Sequence, residues 1–204
     1  MTKADVRRDG NAGRRRRPNT RERILVASLE LFLERGFDGT TISDIERAVG
    51  LAAGTGSFYR HFPSKEEVFV ASVHRSATAY IEEFLVMLGE LDRIDDPVER
   101  LRRDFHMRLH AIQQFDPIVR LITSERERFP ELRRLFTTDL ELDQWKLGWD
   151  DHPLPAIVMA ALVGYGQLSQ LEDSPYYDLP ADDFIDALVE LLTSAHVTPP
   201  VREH

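Results

Sequence analysis

Four side chains that can contact an anion fall within the seven residues of YRHFPSK: Tyr59, Arg60, His61 and Lys65. Phe58 and Phe62 stand four residues apart, the spacing at which two side chains share one helix face, so we expect them to face inward and the polar side chains between them to face outward. Ser64 follows a proline and predicts a helix start, where Lys65 and free backbone N–H groups would point at the same ligand. This combination favours contact with a phosphate chain.

Two helices are predicted ahead of this cluster. Apolar residues recur at helical spacing over residues 24–32, and the first helix is expected to end at Gly36. Thr41 stands three residues before Asp44, as in a capping box, and a helix of about two turns follows until Gly50. A third short helix ending near SFYRHF completes a helix-turn-helix, whose second element lies in the major groove of DNA.

The start of that third helix carries small or hydrogen-bonding residues, which can reach base edges: Thr55, Gly56 and Ser57. Plain structural explanations remain open for several positions. Tyr59 and His61 could be ordinary surface residues, Ser43 a solvated helix residue, and Thr41 a helix cap only. The face that Tyr59 and His61 share beside Lys65 favours nucleic-acid contact.

The segments TRERIL, LELFLERGFDGTT, ISDIERAVG and FYRHFPSKEEV resemble the TetR (tetracycline-repressor-like) family of one-component bacterial regulators, over roughly the first third of the chain. The resemblance implies a homodimer whose N-terminal domains bind adjacent major grooves and whose larger C-terminal domain binds a small effector that weakens DNA binding. By position it implies phosphate contacts at Thr41, Tyr59, His61 and Lys65, with base-facing residues at Ser43, Thr55, Gly56 and Ser57. The segment LAAGTGSF before Tyr59 is about two residues longer than the commonest family pattern, so the turn is longer or the third helix starts earlier.

Positive and negative charge are unevenly distributed along the chain. Residues 1–65 hold 13 Lys+Arg against 8 Asp+Glu, a net charge of +5, and the remaining 139 residues hold 13 against 27, a net charge of −14. A basic head attracts phosphates while an acidic body keeps DNA off other surfaces, although both also serve solubility. Four consecutive arginines precede the first helix and are predicted to form a disordered arm that enters the minor groove, or else a solvated tail: Arg14, Arg15, Arg16 and Arg17.

Composition excludes several classes of protein. Cysteine is absent, which excludes disulfides and thiolate metal sites. The N-terminus lacks the apolar stretch of a signal peptide, and the longest apolar run, Leu154 to Gly166, is shorter than the roughly 20 residues of a membrane helix. We therefore expect a cytoplasmic protein with no cofactor, no bound metal and no membrane contact.

The remaining chain predicts an all-α fold, with a three-helix helix-turn-helix domain followed by a larger helical domain. Its predicted helices run from Ser64 to about Glu90, from Asp96-Pro97 to Phe115-Asp116, from Pro117 to Phe129-Pro130, from Glu131 to Trp149, from Pro155 to Leu171 and from Ala181 to Ala195. The predicted domains are a disordered basic arm (1–19), the DNA-binding domain (20–65), an effector-binding and dimerisation domain (66–196) and a frayed tail (197–204).

The last two helices predict a dimer surface, formed by apolar residues on the final helix and small residues on the one before it: Phe184, Leu188, Leu191, Leu192, Ala160 and Gly164. Together they can build a four-helix contact across a two-fold axis, the alternative being packing within one chain. A dimer would hold its recognition helices roughly 34–36 Å apart, which predicts a palindromic operator.

Candidate effector-pocket residues combine apolar side chains with a few polar ones: Phe105, Leu109, Ile112, Leu121, Trp145, Trp149, Met159, Val163, His106, His110 and Gln113. Each apolar member could equally be ordinary core. His106 and His110 have a spacing that suits a transition metal, but no third ligand accompanies them at suitable spacing, so no metal site is predicted.

The helix that starts at Ser64 is predicted to couple effector and DNA, because it begins at the DNA and ends in the body. A coupling free energy of about 1–3 kcal/mol would change operator affinity roughly 5- to 150-fold. Two alternatives remain open: a DNA-binding activator or regulator without ligand response, and an all-helical enzyme. The enzyme is the more distant, since the chain shows no glycine-rich phosphate loop and no convincing nucleophile arrangement.

Overall fold

The computed structural model describes residues 19–52, 56–132 and 154–194, and these contain helices and turns without a strand. The helices are α1 (Thr20–Arg35), α2 (Ile42–Ala48), α3 (Lys65–Leu91), α4 (Pro97–Ser124), α5 (Leu154–Leu168) and α6 (Ala181–Ser194), with 3-10 turns at Phe58–Arg60 and Pro130–Leu132. The all-α prediction is confirmed. Several predicted features lie outside the described residues: the arm with Arg14, Arg15, Arg16 and Arg17, Thr55, Trp145, Trp149, most of the helix predicted over 131–149, and the tail.

Helix starts follow side-chain caps, as the sequence predicts. Thr41 and Asp44 form the complete capping box of α2. The Ser64 hydroxyl accepts from the backbone N–H of the third residue of α3 at 3.1 Å, and Asp96 caps α4 ahead of a proline in its first turn. Gly36 ends α1 at φ +72°, a left-handed conformation that favours glycine.

The predicted helix break at Pro117 is wrong, because α4 continues through this residue to Ser124. A proline inside a helix removes one backbone hydrogen bond and costs about 3 kcal/mol. The residues around it offset this cost by packing: Phe115 and Ile118 are buried in one cluster, and the Phe115 ring stacks on Tyr80 with centroids 4.7 Å apart. Burial on both sides of the proline therefore holds one helix where the local sequence predicts two.

Aromatic side chains join the N-terminal helices to the end of α4. The Phe69 ring of α3 lies 5.0 Å from Phe32 of α1, 5.2 Å from Phe37 and 4.6 Å from Phe129, measured between ring centroids. One buried cluster thus spans α1, α2, the first half of α3 and the residues from 115 to 132. The division of the chain at residue 65 stays a prediction, and this shared core is the physical link across it.

A second cluster packs α4 against α5 and α6, and its fully buried members include Phe105, Leu162 and Ile185. The Tyr165 hydroxyl donates to the carbonyl of Leu179 at 2.7 Å and so fastens the connection between α5 and α6. A third, smaller cluster lies between the C-terminal end of α3 and α4. No helix within the described ranges is both long and apolar enough to cross a membrane.

Candidate nucleic-acid interface

The turn at residues 58–60 places polar side chains on the surface above two buried rings. Phe58 and Phe62 are buried, whereas Tyr59 is 57% exposed and Arg60 is also exposed. His61 is half-buried. The predicted inward and outward faces are confirmed, but the element is a single 3-10 turn, shorter than the helix that the spacing predicts.

Glu46 supports this turn from α2, a role that was not predicted from the sequence. Its side chain is 2% exposed, and its Oε1 accepts from the backbone N–H of Phe58 at 3.3 Å. The available signal was its position four residues after Ile42, which puts a carboxylate on the apolar face of α2. Gly56 enters the turn at φ +72°. The turn is therefore held to α2 by a buried hydrogen bond.

The N-terminus of α2 lies at the surface. Thr41 and Ser43 are exposed. The Thr41 hydroxyl donates to Asp44 Oδ2 at 2.5 Å and accepts from the Asp44 backbone N–H at 3.2 Å. Thr41 thus acts as a helix cap, and its contact with a phosphate stays a prediction.

The Lys65 ammonium group bonds to the backbone of the loop between α1 and α2. Its Nζ donates to the carbonyl oxygens of Phe37 at 2.7 Å and Thr40 at 2.9 Å, and it lies 4.0 Å from the centroid of the Phe37 ring. Because an ammonium group has three N–H donors, these two bonds leave one for a phosphate. Lys65 therefore ties the loop between α1 and α2 to the start of α3, a role that the sequence did not indicate.

The Phe37 ring also contacts Arg128, whose guanidinium carbon lies 4.8 Å from the ring centroid. Arg128 also donates to both carboxylate oxygens of Asp38, at 2.7 and 3.3 Å. The loop between α1 and α2 is therefore held from two sides, by the start of α3 and by the segment that follows α4.

The pKa of Asp38 gives a test of this contact. Hydrogen bonding to Arg128 lowers the Asp38 pKa below its ordinary value of 3.8. The stability that this pair contributes is therefore present above about pH 3.8 and lost as the pH falls through the lowered folded-state pKa. We expect Arg128→Gln to raise the Asp38 pKa in a carboxyl carbon NMR titration.

Asp44 is the internal control for that titration. Its pKa is lowered by hydrogen bonds to Thr41 and by Arg47, not by Arg128. Its titration should not change in the Arg128→Gln chain. An Asp38 pKa that is the same in both chains would contradict the pairing.

Two arginines of α1 that were not predicted as site residues contact Phe62, just after the turn at residues 58–60, and Val49, just after α2. The Arg21 guanidinium carbon lies 4.6 Å from the centroid of the Phe62 ring. Arg23 donates from its guanidinium to the carbonyl of Val49, just after α2. Both are exposed residues, so they add positive charge near Phe62 and the end of α2.

The predicted effector-pocket residues do not form one pocket but lie in three places. Phe105 and Leu109 are buried in the cluster of α4, α5 and α6, and Ile112 and Met159 pack against it. Leu121 lies in the N-terminal cluster, and Gln113 and Val163 are half-buried. His106 and His110 instead line a groove between α3 and α4. Among the described residues no group of three or more His, Cys, Asp or Glu side chains is arranged to hold a metal ion.

The residues predicted to form the dimer surface differ in their exposure. Leu191 is 65% exposed, whereas Leu192 is 3% exposed and packs into the core, because consecutive residues lie about 100° apart around a helix. Phe184 and Leu188 are partly buried against the same core. On α5, Ala160 is exposed, and an added Cβ at Gly164 would meet nothing within 4 Å.

Taken together, the capped α2 and the exposed turn at residues 58–60 have the arrangement of a helix-turn-helix, and a helical body follows it. Residues 24–72 match the family model of bacterial regulatory proteins of the tetR family. The likeness to this family is therefore assigned to the helix-turn-helix segment alone.

Relatives agree with this assignment. The chain is 33% identical over 94 residues to the HTH-type transcriptional regulator TcmR of Streptomyces glaucescens, covering 46% of this chain and 39% of that one. It is 27% identical over 132 residues to the HTH-type transcriptional repressor KstR2 of Mycobacterium tuberculosis, covering 64% and 63%. The chain thus spans less than two thirds of the length of either relative.

Solved structures show the same fold. A Mesorhizobium loti regulator assigned to the TetR family matches 86% of this chain and 96% of its own, with a TM-score of 0.62 and 16% identity. A transcriptional regulator from Rhodococcus matches 89% and 99%, with a TM-score of 0.54 and 20% identity. These likenesses concern the fold only.

Proposed function

We propose that the chain is a homodimeric transcriptional repressor that binds a palindromic operator in double-stranded DNA and is released by a small, largely apolar effector. The observation that carries the proposal is the exposed turn of Tyr59 and Arg60, anchored by Phe58 and Phe62 and held to α2 by Glu46. A rigid support with outward polar side chains is what contact with a duplex requires.

The proposed DNA surface extends from this turn to the N-terminus of α2. Thr41 and Ser43 stand at one end of it, and Tyr59, Arg60 and His61 at the other. Gly56 and Ser57 are assigned to base edges, together with Thr55. Lys65 can add one N–H to a phosphate, and the arginine arm of residues 14–17 is assigned to the minor groove.

Exposed apolar residues on α5 and α6 support the dimer. Ile157 is 60% exposed, Leu168 is 40% exposed and Leu191 is 65% exposed. Ile157, Ala160, Gly164 and Leu168 follow one another at three- and four-residue spacing and so share one face of α5. A second copy is the proposed occupant of this face, because an isologous contact would cover the same residues on both chains.

Site selection from a random duplex pool tests the proposal. We expect a consensus with two-fold symmetry and half-sites roughly one helical turn of DNA apart. The Leu191→Asp substitution puts a charge on the proposed dimer face, so this chain should sediment as a monomer and fail to enrich the consensus.

Val86→Asp is the matched control, because Val86 is 69% exposed on α3 and is replaced by the same charge. It should leave both the dimer and the consensus intact. A consensus without symmetry, or one that a monomeric Leu191→Asp chain enriches equally, would overturn the dimeric operator. Enrichment of no sequence at all would overturn the DNA-binding proposal.

A further inference from the structure

A groove of about 530 Å³ lies between the C-terminal end of α3 and the N-terminal half of α4. Its floor is formed by apolar side chains: Met87, Leu91, Ile94 and Met107. The volume lies within the range of small-molecule sites. Thioether side chains adapt to irregular apolar shapes, so the two methionines suit a flexible hydrocarbon chain.

The rim of the groove carries charged side chains of both signs. Arg93 is paired with Glu90, so their charges cancel. Arg103 is exposed and lines the groove. The nearby carboxylates of Glu99 and Asp186 pair with Arg102, and within the described part of the chain no ion pair includes Arg103. This leaves one uncompensated cation in a groove that belongs to the region of net charge −14.

Two histidines continue this rim along α4. Arg103, His106 and His110 are spaced by three and four residues and therefore form one stripe, about 10 Å long, along the helix. His106 Nε2 lies 3.6 Å from Asp182 Oδ1 of α6, and His110 is exposed. The stripe thus runs beside the apolar floor and offers polar N–H groups along its length.

We propose that this groove binds an aliphatic carboxylate, with the carboxylate at Arg103 and the hydrocarbon chain on the methionine-lined floor. A guanidinium group matches the two oxygens of a carboxylate in a bidentate arrangement. The apolar floor and the single uncompensated charge together select an anionic head group on an apolar chain. A ligand without a charged head group would contact only the apolar floor and leave Arg103 without a partner.

The position of the groove at the C-terminal end of α3 suits an effector site, a role that rests on the proposed function. This helix has 27 residues and is about 40 Å long. Lys65 at its start holds the loop that precedes α2, and Met87 and Leu91 at its end line the groove. A carboxylate that favours one packing of this end would bias the position of the DNA-binding helices.

Calorimetric titration of the full chain with octanoate, and separately with the neutral 1-octanol, tests the site. We expect octanoate to bind more tightly than octanol. Arg103→Gln should weaken octanoate binding about fivefold, the size expected of an exposed ion pair, and should leave octanol binding unchanged. Arg100→Gln, three residues earlier on α4 and outside the groove lining, should change neither.

A second pair of variants tests the floor. Met87→Glu puts a negative charge beneath the hydrocarbon chain of the ligand and should abolish octanoate binding. Val86→Glu, at the neighbouring exposed position, should not. Equal affinity for octanoate and octanol, equal octanoate binding by the Arg103→Gln and parent chains, or no octanoate binding would each overturn the proposal.

Adding octanoate to a complex with the selected operator tests its role as effector. Release of DNA by octanoate, absent with Arg103→Gln, supports that role, and bound octanoate that leaves the complex intact overturns it. Failure of the chain to select any operator would overturn the proposed function, while the calorimetry would still decide whether the groove binds a carboxylate.

Discussion

Replacing Tyr59 by alanine is expected to weaken binding to the selected operator by about thirtyfold and to leave the fold unchanged. The side chain is 57% exposed, and its described ring contact is an edge-to-face approach to Phe58 with centroids 5.6 Å apart. Its removal therefore costs little packing. A DNA contact of about 1 kcal/mol, present twice in a dimer, gives a loss of this size. Fluorescence anisotropy at one fixed salt concentration measures it.

Two further variants show which part of the side chain matters. Tyr177→Ala removes a tyrosine that is 49% exposed in the body, and it should leave operator affinity unchanged. Tyr59→Phe retains the ring and removes the hydroxyl, so a phosphate hydrogen bond predicts that it resembles Tyr59→Ala. If Tyr59→Ala binds the operator as well as the parent chain, Tyr59 is an ordinary surface residue.

Replacing Phe37 by alanine is expected to lower the free energy of unfolding by about 3–5 kcal/mol, the usual cost of truncating a buried phenylalanine. Phe37 is 3% exposed and its ring contacts both the Lys65 ammonium and the Arg128 guanidinium. The change therefore removes ring packing and two cation–π contacts at once. Urea denaturation followed by circular dichroism measures the effect.

Leu33→Ala is the control for this loss, because Leu33 is 40% exposed on α1 and its truncation should cost less than about 1 kcal/mol. Phe37→Leu keeps an apolar side chain and removes the aromatic ring, so its cost should fall between the two. A Phe37→Ala chain no less stable than the Leu33→Ala chain would show that the cluster does not depend on this ring.

The position of Phe37 also has a consequence for regulation. Its loop precedes α2 and is held by Lys65 at the start of α3 and by Arg128 after α4. We propose that movement of α3 or of the segment after α4 is passed through these contacts to the loop that leads to Thr41, the cap of α2. Close-packed protein cores change between discrete packings more readily than they deform, so on this proposal a small shift in the body moves the proposed DNA-binding surface.

The boundaries of the N-terminal helices could be predicted from the sequence because helix ends are local. The Thr41 and Asp44 box, the Ser64 cap and the glycine after α1 each act within a few residues of the backbone groups that they satisfy. The same holds for Phe58 and Phe62, since four-residue spacing decides which side chains face inward. These local features also carry the resemblance to the TetR family.

Partners distant in sequence were decided by the tertiary structure. Lys65 finds carbonyl acceptors 28 and 25 residues earlier, and Glu46 receives the Phe58 N–H 12 residues later, so spacing alone could not reveal either contact. Tertiary packing also decides that α4 continues through Pro117. It likewise places His106 and His110 in the groove between α3 and α4. In each case the energy comes from burial or hydrogen bonds with another helix, which exist only once the chain has packed.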